Sequence, residues 1–490
     1  MPSAYESEFL TSSETSQQAY QRLISQVLQV VCESFPDRPY SGENAAELAN
    51  LVESDFLPET GCPTEQLSDR LRLVVRHSVI TSHPHTTAHL HCPPLTAALA
   101  AETVISSLNQ SMDSFDQAPI ATVVEQKLIH WLCAQVGLPM AADGTFTTGG
   151  SQANYMGLLL ARDKVLRDKW NWSAQKSGLP PEASRLRILC SEVAHFTVER
   201  SASQLGLGTD SVVKVSVDDH FRMDPVSLRR ELDHIRGRDL VPMAIVATAG
   251  TTDFGSVDPI PELASVARTA GAWFHVDAAY GGALLFSAKH RGKLVGIDAA
   301  DSITTDFHKL FWQPIPCSAF LLRDRKNFDF IKIHADYLNP ELLAEEGVPN
   351  LVATSLLTSR RFDALKLWLS FQSLGRAKLA ALIDRTIELA NHTAAIVKKE
   401  PSFDLVCEPQ FSTVVFRYVP SDPGLDADKI NFAIRQRLFD RGKAVIGHTR
   451  VRGRQCLKFT CMNPATTEAR LEELLELILK QGRECETVAD

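Results

Sequence analysis

Lys309 occupies an unusual place for a charged side chain. It follows His308 and precedes the apolar residues Leu310, Phe311 and Trp312 in the stretch DSITTDFHKLFWQP. A permanently charged ammonium would be poorly solvated in such surroundings. The amine of Lys309 is therefore a candidate for a chemical role.

A second candidate is a glycine-rich turn before a predicted helix. The stretch FTTGGSQANYMGLLLAR places Gly149, Gly150 and Ser151 just ahead of that helix. The first N–H groups of a helix lack partners within it, glycine permits close approach to the backbone, and serine can cap the helix or donate its hydroxyl. These residues could hold a phosphate, although Gly-Gly-Ser before a helix is more often a plain N-terminal cap.

Three further polar residues stand near the ends of predicted strands. Asp277 closes the apolar strand of AWFHVDAAYGG, Thr248 closes that of VPMAIVATAG, and His195 follows LRILCSE. A buried carboxylate needs a cationic partner or several hydrogen bonds. Taken alone, an aspartate at the end of a strand, such as Asp277, is as often structural as functional. A single histidine is more often a packing residue than a catalytic one.

Together these residues are the parts that a pyridoxal phosphate site requires. A lysine supplies a nucleophilic amine, a carboxylate keeps the ring nitrogen protonated, a histidine can stack on the ring, and the glycine-serine helix start can bind the phosphate. Lys309 need not remain an ammonium, because as an imine to the cofactor it can lie in a less polar pocket. The sequence therefore predicts pyridoxal 5'-phosphate as the cofactor.

Short β-rich segments position these groups. Strands are predicted at 186–192, 211–217, 241–250, 272–280 and 302–307, and they alternate with helix-length segments. This alternation is typical of βαβ units and a mostly parallel sheet, which binds ligands at the carboxyl ends of its strands. Helical regions are predicted at about 15–32, 94–137 and 360–399.

The C-terminal part contains two further predicted strands, TVVFRYV and CLKFTCMNP, and the amphipathic stretch TTEARLEELLELILKQGRE. We interpret the chain as three parts. Residues 1–93 form an N-terminal helical segment for dimerisation, residues 94–368 a large cofactor-binding α/β domain, and residues 369–490 a small α+β domain.

The composition is that of an ordinary globular protein. The 490 residues are 44% hydrophobic and 22% charged, and the formal net charge of -9 argues against nucleic acid or an anionic membrane as partner. The N-terminus lacks the features of a signal peptide, and no window approaches about 18 uninterrupted apolar residues. The ten cysteines are scattered without a CxxC pair, as in a reduced cytoplasmic protein.

The motifs HVDAAYGG, TDFHK, TTGGSQAN and AHFTVERSA resemble those of the group II pyridoxal phosphate-dependent amino acid decarboxylases. The resemblance covers roughly residues 70–465. It implies a fold-type I enzyme, like aspartate aminotransferase, with a mostly parallel seven-stranded sheet and a small α+β C-terminal domain. The stretches AHLHCPPL, NQSMDSFDQA, HADYLNP and TSRRFDALKLW are similar to the bacterial branch that acts on diamino acids.

The resemblance also implies residue roles. Lys309 matches the lysine that forms the imine, and Tyr337 the proton donor on a mobile loop. The implied catalytic residues are Lys309, Tyr337, His195 and His308. The implied cofactor-binding residues are Gly150, Ser151, His195, Thr248, Asp277, Ala279, Asp306, His308 and Lys309. Asp306 stands where several relatives carry asparagine, and an aspartate there would repel the phosphate dianion unless it points away.

The expected substrate contacts come from two stretches. In aromatic amino acid decarboxylases the stretch that matches NQSMDSFDQA is apolar and enters the neighbouring subunit's pocket, whereas here it offers Asp113 and Asp116. A carboxylate in that pocket would pair with a distal ammonium and disfavour an acidic substrate. Asp113 is preferred, although both aspartates could instead cap a turn or bind the protein's own basic groups. His89 and His91 are further candidates.

The expected reaction is decarboxylation of L-2,4-diaminobutyrate to 1,3-diaminopropane, in siderophore or polyamine biosynthesis. L-Lysine or L-ornithine, giving cadaverine or putrescine, is the alternative, and an acidic or aromatic amino acid is a second one. A fold-related aminotransferase or aldolase is a competing class, but the His-Lys pair, His195 and the tyrosine of DYLNP favour decarboxylation. An inactive binding homologue is disfavoured, because every chemical position is occupied.

The stretch SHPHTTAHLHCPP offers a different interpretation. His83, His85, His89, His91 and Cys92 could mark a zinc or copper site. No matching ligand cluster occurs elsewhere in the sequence, so no metal is expected.

Finally, the resemblance implies an obligate homodimer. In this family loops of the partner complete each site, and segments 94–125 and 355–362 match those loops. Apolar helical segments beside the α/β core agree with a cleft at a subunit boundary. The expected partners are thus a small amino acid and a second copy, with neither nucleic acid nor membrane, and the expected location is the cytoplasm.

Overall fold

The computed structural model describes residues 5–52, 56–333 and 347–489. A seven-stranded sheet lies at its centre. Its strands are β1 (Asp143–Thr147), β2 (Leu186–Ser191), β3 (Val212–Val215), β4 (Val241–Thr248), β5 (Trp273–Asp277), β6 (Ser302–Asp306) and β7 (Ser318–Leu322). They lie in the order β1-β7-β6-β5-β4-β2-β3, and every pair is parallel except the two that β7 makes. The expected mostly parallel seven-stranded sheet is confirmed.

Helices precede, follow and connect these strands. They are α1 (Glu14–Ser34), α2 (Ala45–Leu51), α3 (Thr64–Arg76), α4 (Thr96–Leu108), α5 (Pro119–Val136), α6 (Gly150–Trp170), α7 (Ala174–Ser177), α8 (Thr197–Gln204), α9 (Pro225–Gly237), α10 (Ile260–Ala270), α11 (Ala364–Lys399), α12 (Ala427–Asp440) and α13 (Glu468–Ala489). Within the described residues, we find no helix with the length and apolar character needed to cross a bilayer.

Both faces of the seven-stranded sheet are buried. Ile245 and Ala247 of β4 belong to the apolar cluster that contains residues of α5, α9 and α10. Ala244 and Val246 belong to the cluster that contains residues of α6 and α8. Because alternate residues of a strand point to opposite faces, helices cover the sheet on both sides. This explains why the whole of β4 is an apolar run.

The helical region predicted at 94–137 consists of two helices. Asn109 ends α4 in the left-handed conformation, with φ 46°. Pro119 occupies the first turn of α5, where proline needs no N–H partner. The residues between them form a loop that carries two of the candidate substrate residues.

A second, antiparallel sheet lies in the C-terminal part. Its strands are β8 (Phe403–Leu405), β9 (Thr413–Tyr418), β10 (Gly447–Val451) and β11 (Arg454–Thr460), in the order β10-β11-β9-β8. The C-terminal half of α11, together with α12 and α13, packs on this sheet and forms a separate apolar cluster. The expected α+β character of this part is confirmed.

The N-terminal strap (residues 86–95) joins the two sheet regions. At one end, the Thr87 N–H donates to the carbonyl of Val445, at 2.9 Å, just before β10. At the other end, the Leu95 N–H donates to the carbonyl of Trp312, at 2.8 Å, in the turn after β6. The strap therefore connects the small sheet with the turn that carries Lys309.

Candidate active site

The candidate residues meet at one edge of the seven-stranded sheet. Thr248, Asp277 and Asp306 are the last residues of β4, β5 and β6. These three strands are parallel, so their final residues lie side by side at the carboxyl edge. Helix α6 begins at the same edge, directly after β1. Ligands bind at this edge in sheets of this kind.

Lys309 and Asp306 form a largely buried ion pair. The Lys309 Nζ lies 2.9 Å from the Asp306 Oδ2, and the two side chains are 17% and 3% exposed. The Ser318 hydroxyl donates to the other oxygen of Asp306, at 2.6 Å. Burial by itself would raise the pKa of Asp306, but the charges of Lys309 and His308 and the hydrogen bond from Ser318 outweigh it and lower that pKa. Asp306 is therefore ionised and faces the lysine amine.

The Asp306 carboxylate also faces the start of α6. A Cβ atom on Gly150 would lie 3.0 Å from the Asp306 Oδ2 and 3.3 Å from the Ala279 Cβ. A side chain at position 150 would therefore crowd the Asp306 carboxylate, and glycine lets the first turn of α6 approach β6 closely. Ser151 differs from its expected capping role, because the residue before α6 is Gly149 and no side chain caps the helix. Ser151 lies within the first turn and is exposed.

His308 lies next to the ion pair. Its Nδ1 is 2.9 Å from the carbonyl of Cys317, and its Nε2 is 3.7 Å from the Asp306 Oδ2. Burial is the main cause of a lowered pKa for His308. The imidazole is thus neutral near pH 7 and has a nitrogen directed toward the carboxylate beside Lys309. The strap contacts it as well, since the Cys92 thiol donates to the His308 carbonyl at 3.3 Å.

Asp277 has the hydrogen bonds that a buried carboxylate requires. The Asn154 Nδ2 donates to its Oδ2 at 2.8 Å, and the Ala279 N–H donates to its Oδ1 at 3.1 Å. Asp277 is buried. Helix α6 can approach β5 closely at this level, because a Cβ on Gly157 would lie only 2.6 Å from the His275 Nδ1.

His195 lies in the loop before α8. Its Nδ1 is 2.9 Å from the Thr197 hydroxyl, which in turn is 3.0 Å from the Asn154 Nδ2. Burial is the largest cause of the lowered pKa of His195, and the charge of Lys309 acts in the same direction, whereas Asp277 opposes the shift. The structure therefore brings His195, Asp277 and Lys309 into one site, with the imidazole neutral.

Thr248 provides a test of whether a cofactor fits this edge. Its N–H donates to the Asp258 Oδ2 at 2.7 Å, and burial raises the pKa of Asp258 to about 6. The Thr248 hydroxyl is buried, and the described residues offer it no hydrogen-bond partner. A buried polar atom without a partner is rare in a complete site. An orphaned hydroxyl on the strand next to Asp277 agrees with a polar ligand such as pyridoxal phosphate.

Residues that sequence reasoning missed complete the site. Asn154, Thr197, His275, Ser302 and Thr304 form hydrogen bonds around Asp277 and His195. Asn154 lies four residues after Gly150, on the same side of α6. This spacing was the one sequence feature that could have indicated that Asn154 belongs to the site. The partners of Asn154 come from three separate segments, which no local pattern connects.

The expected substrate residues differ in their surroundings. Asp116 is exposed and accepts a hydrogen bond from the Ser114 hydroxyl at 2.6 Å, so it stabilises a local turn. Asp113 is 8% exposed, and its Oδ1 has no partner among the described residues. The Met112 N–H donates to the Arg360 carbonyl at 3.0 Å, which joins the loop of Asp113 to the second segment expected to complete a partner's site.

The histidine-rich stretch is spread along the strap and the residues before it. The His85 N–H donates to the His83 Nδ1 at 3.0 Å, while His89 and His91 are exposed. In the described parts of the chain, no group of three or more histidine, cysteine, aspartate or glutamate residues could hold a metal ion. Tyr337 lies outside the described residues.

The fold, the buried lysine and the hydrogen-bonded aspartate are typical of enzymes that use pyridoxal phosphate. Residues 47–419 match the model of the pyridoxal-dependent decarboxylase conserved domain. The chain belongs to the pyridoxal-dependent decarboxylase family, whose members are carboxy-lyases with pyridoxal phosphate as cofactor.

Similar proteins agree over most of the chain. The L-2,4-diaminobutyrate decarboxylase of Acinetobacter baumannii is 40% identical over 91% of this chain and 89% of its own length. That of Rhizobium meliloti is 42% identical over 91% and 88%. A solved structure, the glutamate decarboxylase domain of diaminobutyrate-pyruvate transaminase and L-2,4-diaminobutyrate decarboxylase from Vibrio parahaemolyticus, has a TM-score of 0.90 at 38% identity and covers 98% of this chain and 99% of its own.

Proposed function

We propose that the protein converts L-2,4-diaminobutyrate to 1,3-diaminopropane and carbon dioxide. The observation that carries the choice of substrate is the buried carboxylate of Asp113, whose Oδ1 has no partner in the described residues. A distal ammonium is the substrate group that would satisfy such an oxygen. The similarity to two L-2,4-diaminobutyrate decarboxylases over most of the chain supports the same substrate.

Lys309 is proposed to hold the cofactor through its amine. When bound, pyridoxal phosphate supplies an electron sink that stabilises the charge left on Cα when the carboxylate departs. The Lys309 amine must lose a proton before it can act as a nucleophile. Asp306, at 2.9 Å, stabilises the ammonium form of Lys309, whereas the neutral imidazole of His308 beside this pair is the neighbouring group that can receive the proton.

The geometry of the sheet edge supports the remaining proposed cofactor contacts. Asp277, which accepts hydrogen bonds from Asn154 and Ala279, would pair with the ring nitrogen. His195 would stack on the ring, and Thr248 and Ala279 would line it. Gly150 and Ser151 at the start of α6 would bind the phosphate.

Control of the final protonation is proposed for Tyr337, on the basis of the motif HADYLNP. A tyrosine hydroxyl near the substrate would deliver a proton to Cα. His89 and His91, exposed near the turn of Lys309, would line the entrance to the substrate pocket.

We propose an obligate homodimer, in which Asp113 faces the site of the second copy. Several large apolar side chains are exposed on the flanking helices: Leu23, Leu28 and Val31 on α1, Leu99, Val104 and Leu108 on α4, and Trp131 on α5. Nearby, Trp131, Phe286, Trp368 and Phe371 line a cavity of about 440 Å³. So much exposed apolar surface supports an interface between copies. Light scattering that showed an active monomer at assay concentration would refute it.

The division of the chain follows from the same proposal. Residues 1–93 would serve dimerisation, 94–368 would bind the cofactor, and 369–490 would close the site from the side of the small sheet. The cytoplasm is the proposed location, and all ten cysteines are free thiols. The product diamine fits a role in siderophore or polyamine biosynthesis.

The decisive experiment is a comparison of substrates. The purified enzyme, loaded with pyridoxal phosphate, is incubated separately with L-2,4-diaminobutyrate, L-ornithine, L-lysine and L-glutamate, and the amine products and carbon dioxide are quantified. We expect the highest kcat/KM on diaminobutyrate. A preference for ornithine or lysine would still mean that the substrate is a diamino acid, but one with a longer side chain than we propose. A preference for glutamate would refute the proposed role of Asp113.

A further inference from the structure

Six side chains next to Asp277 form a continuous hydrogen-bonded chain. It starts at the indole N–H of Trp273, which lies 2.8 Å from the Ser302 hydroxyl oxygen. That oxygen is 2.8 Å from the His275 Nδ1, and the His275 Nε2 is 2.9 Å from the Asn154 Oδ1. The chain then divides at the Asn154 amide group, which reaches both Asp277 and Thr197. Trp273, Ser302, His275 and Asn154 are buried.

The chemistry of the two ends determines the direction of every bond. The indole N–H of Trp273 can only donate, and the Asp277 carboxylate accepts, since the Ala279 N–H donates to its other oxygen. The Asn154 group that faces Asp277 must therefore be the NH₂, since an oxygen at 2.8 Å from a carboxylate would be repelled. This orientation leaves the Asn154 oxygen to accept from the Thr304 hydroxyl, at 2.7 Å, and from His275.

His275 is consequently fixed as one tautomer. Its Nε2 carries the hydrogen that Asn154 accepts, and its Nδ1 accepts from the Ser302 hydroxyl, whose oxygen already receives the Trp273 N–H. Burial is the main cause of the low pKa of His275, about 4, so the ring is neutral at physiological pH. A neutral imidazole has one N–H, and in His275 this N–H donates to the Asn154 oxygen.

The second branch reaches His195. The Asn154 amide donates to the Thr197 oxygen at 3.0 Å, and the Thr197 hydroxyl is 2.9 Å from the His195 Nδ1. The Thr197 N–H also points to that Nδ1, at 3.4 Å. Two donors toward one ring nitrogen make the Nδ1 an acceptor and leave the hydrogen of His195 on Nε2.

We propose that this chain runs in one direction, from Trp273 to Asp277 and His195, and that Asn154, Thr197 and His275 are positioning residues. They hold the Asp277 carboxylate as a hydrogen-bond acceptor and His195 as the Nε2–H tautomer before any ligand binds. The consequence for cofactor binding rests on the proposed function, in which Asp277 pairs with the cofactor ring. The tautomer of His195 is a property of the protein alone.

The first test replaces Asn154 with Asp, which keeps the size but exchanges a donor for an acceptor. Two carboxylates would then face each other, and they would share a proton at low pH. The charged groups around them are Asp306 at the end of β6, Lys309 in the turn that follows, and Arg200 of α8, which acts on His195. Asn171→Asp, at the exposed C-terminal end of the same helix, is the matched control.

The dissociation constant of pyridoxal phosphate is measured by fluorescence from pH 5.5 to pH 8 for each variant and compared with wild type at the same pH. We expect Asn154→Asp to bind at least about tenfold more weakly at pH 8, because a buried hydrogen bond to a charge is lost. The ratio of the dissociation constant of Asn154→Asp to that of wild type should fall toward one as the pH decreases. The same ratio for the control Asn171→Asp should not change with pH. A ratio for Asn154→Asp that is constant with pH would overturn the proposal.

The second test needs neither the cofactor nor a correctly folded Asn154→Asp variant. The full chain with ¹⁵N-labelled histidine is examined by NMR without pyridoxal phosphate, as wild type, Thr197→Val and Thr197→Ser. We expect His195 to show a protonated Nε2 and an unprotonated Nδ1 in wild type and in the serine variant, and mixed tautomers in the valine variant. A wild-type protein that bound no pyridoxal phosphate would refute the proposed function, whereas a His195 tautomer unaffected by the valine substitution would refute only the directional chain.

Discussion

The substitution Asp113→Asn separates substrate recognition from structural support. Asp113 is 8% exposed, and its Oδ1 has no partner in the described residues. A buried acceptor without a partner costs the folded protein about 1–3 kcal/mol. Asparagine has the same shape without the charge, so the thermal midpoint of the variant should equal or exceed that of wild type.

The same substitution should greatly impair catalysis. A well-made contact between a carboxylate and a substrate ammonium contributes on the order of 2–4 kcal/mol. Loss of that energy corresponds to a decrease in kcat/KM on diaminobutyrate of about thirtyfold at the lower value and several hundredfold at the upper one. The absorption spectrum of the bound cofactor should not change, because the substitution does not touch the sheet edge.

Asp116→Asn is the matched control, since it is the same change on the same loop. Asp116 is exposed and accepts a hydrogen bond from the Ser114 hydroxyl. We expect nearly wild-type kcat/KM for it. Product amines are quantified for both variants, and thermal unfolding is followed on the same samples. If Asp113→Asn keeps the wild-type kcat/KM on diaminobutyrate, Asp113 does not recognise the substrate ammonium. If its thermal midpoint and its kcat/KM both fall strongly, the role of Asp113 is structural instead.

Three further predictions concern other residues of the site. Borohydride reduction of the loaded enzyme should fix the cofactor on the peptide that contains Lys309, and mass spectrometry that found it on another lysine would contradict the assignment. Tyr337→Phe should still release carbon dioxide but yield transamination or oxidative deamination products, and an unchanged amine yield without these products would remove Tyr337 from the mechanism. Asp306→Asn should destabilise the cofactor-free protein by on the order of 2 kcal/mol at pH 7, because it breaks the buried pair with Lys309. Since the pKa of Asp306 is lowered in the folded state, this stabilisation is complete above the ordinary carboxylate value of about 3.9 and disappears as the pH falls through the folded value. Unfolding midpoints that differed equally at pH 7 and pH 3.5 would show that the charge of Asp306 is not the cause.

Five strands of the seven-stranded sheet could be predicted, but β1 and β7 could not. Each of β2 to β6 is a short β-rich segment, and each lies within its predicted range. The strand β1 has the sequence DGTFT, which is short and partly polar. The strand β7 pairs antiparallel with both neighbours, so the alternation of strands and helices does not reveal it. The small sheet shows the same limit, since β8 has only three residues.

In the site, residues that a local motif marks could be predicted, whereas residues defined by contacts between distant segments could not. Lys309, Asp277 and His195 could be proposed because their residue types and motifs are unusual. The role of Asn154 could not, because its partners Thr304, His275 and Thr197 belong to separate segments. The region predicted as helical at 94–137 is helical, but its division into α4 and α5 depends on local features that the prediction did not resolve, namely the left-handed Asn109 and the proline that starts α5.

The N-terminal strap has a consequence for the order of events during synthesis. Helices such as α1 and α3 involve neighbours in sequence and can form early, but Thr87 cannot meet Val445 until most of the chain has left the ribosome. Contacts between such distant residues are slow to form, because a very long loop must close first. The other end of the strap meets the turn of Lys309 through Leu95 and Trp312, and this contact needs no residue beyond 312. The strap can therefore reach the turn of Lys309 during synthesis well before it can reach the small sheet, so its two ends become available to the nascent chain at different times.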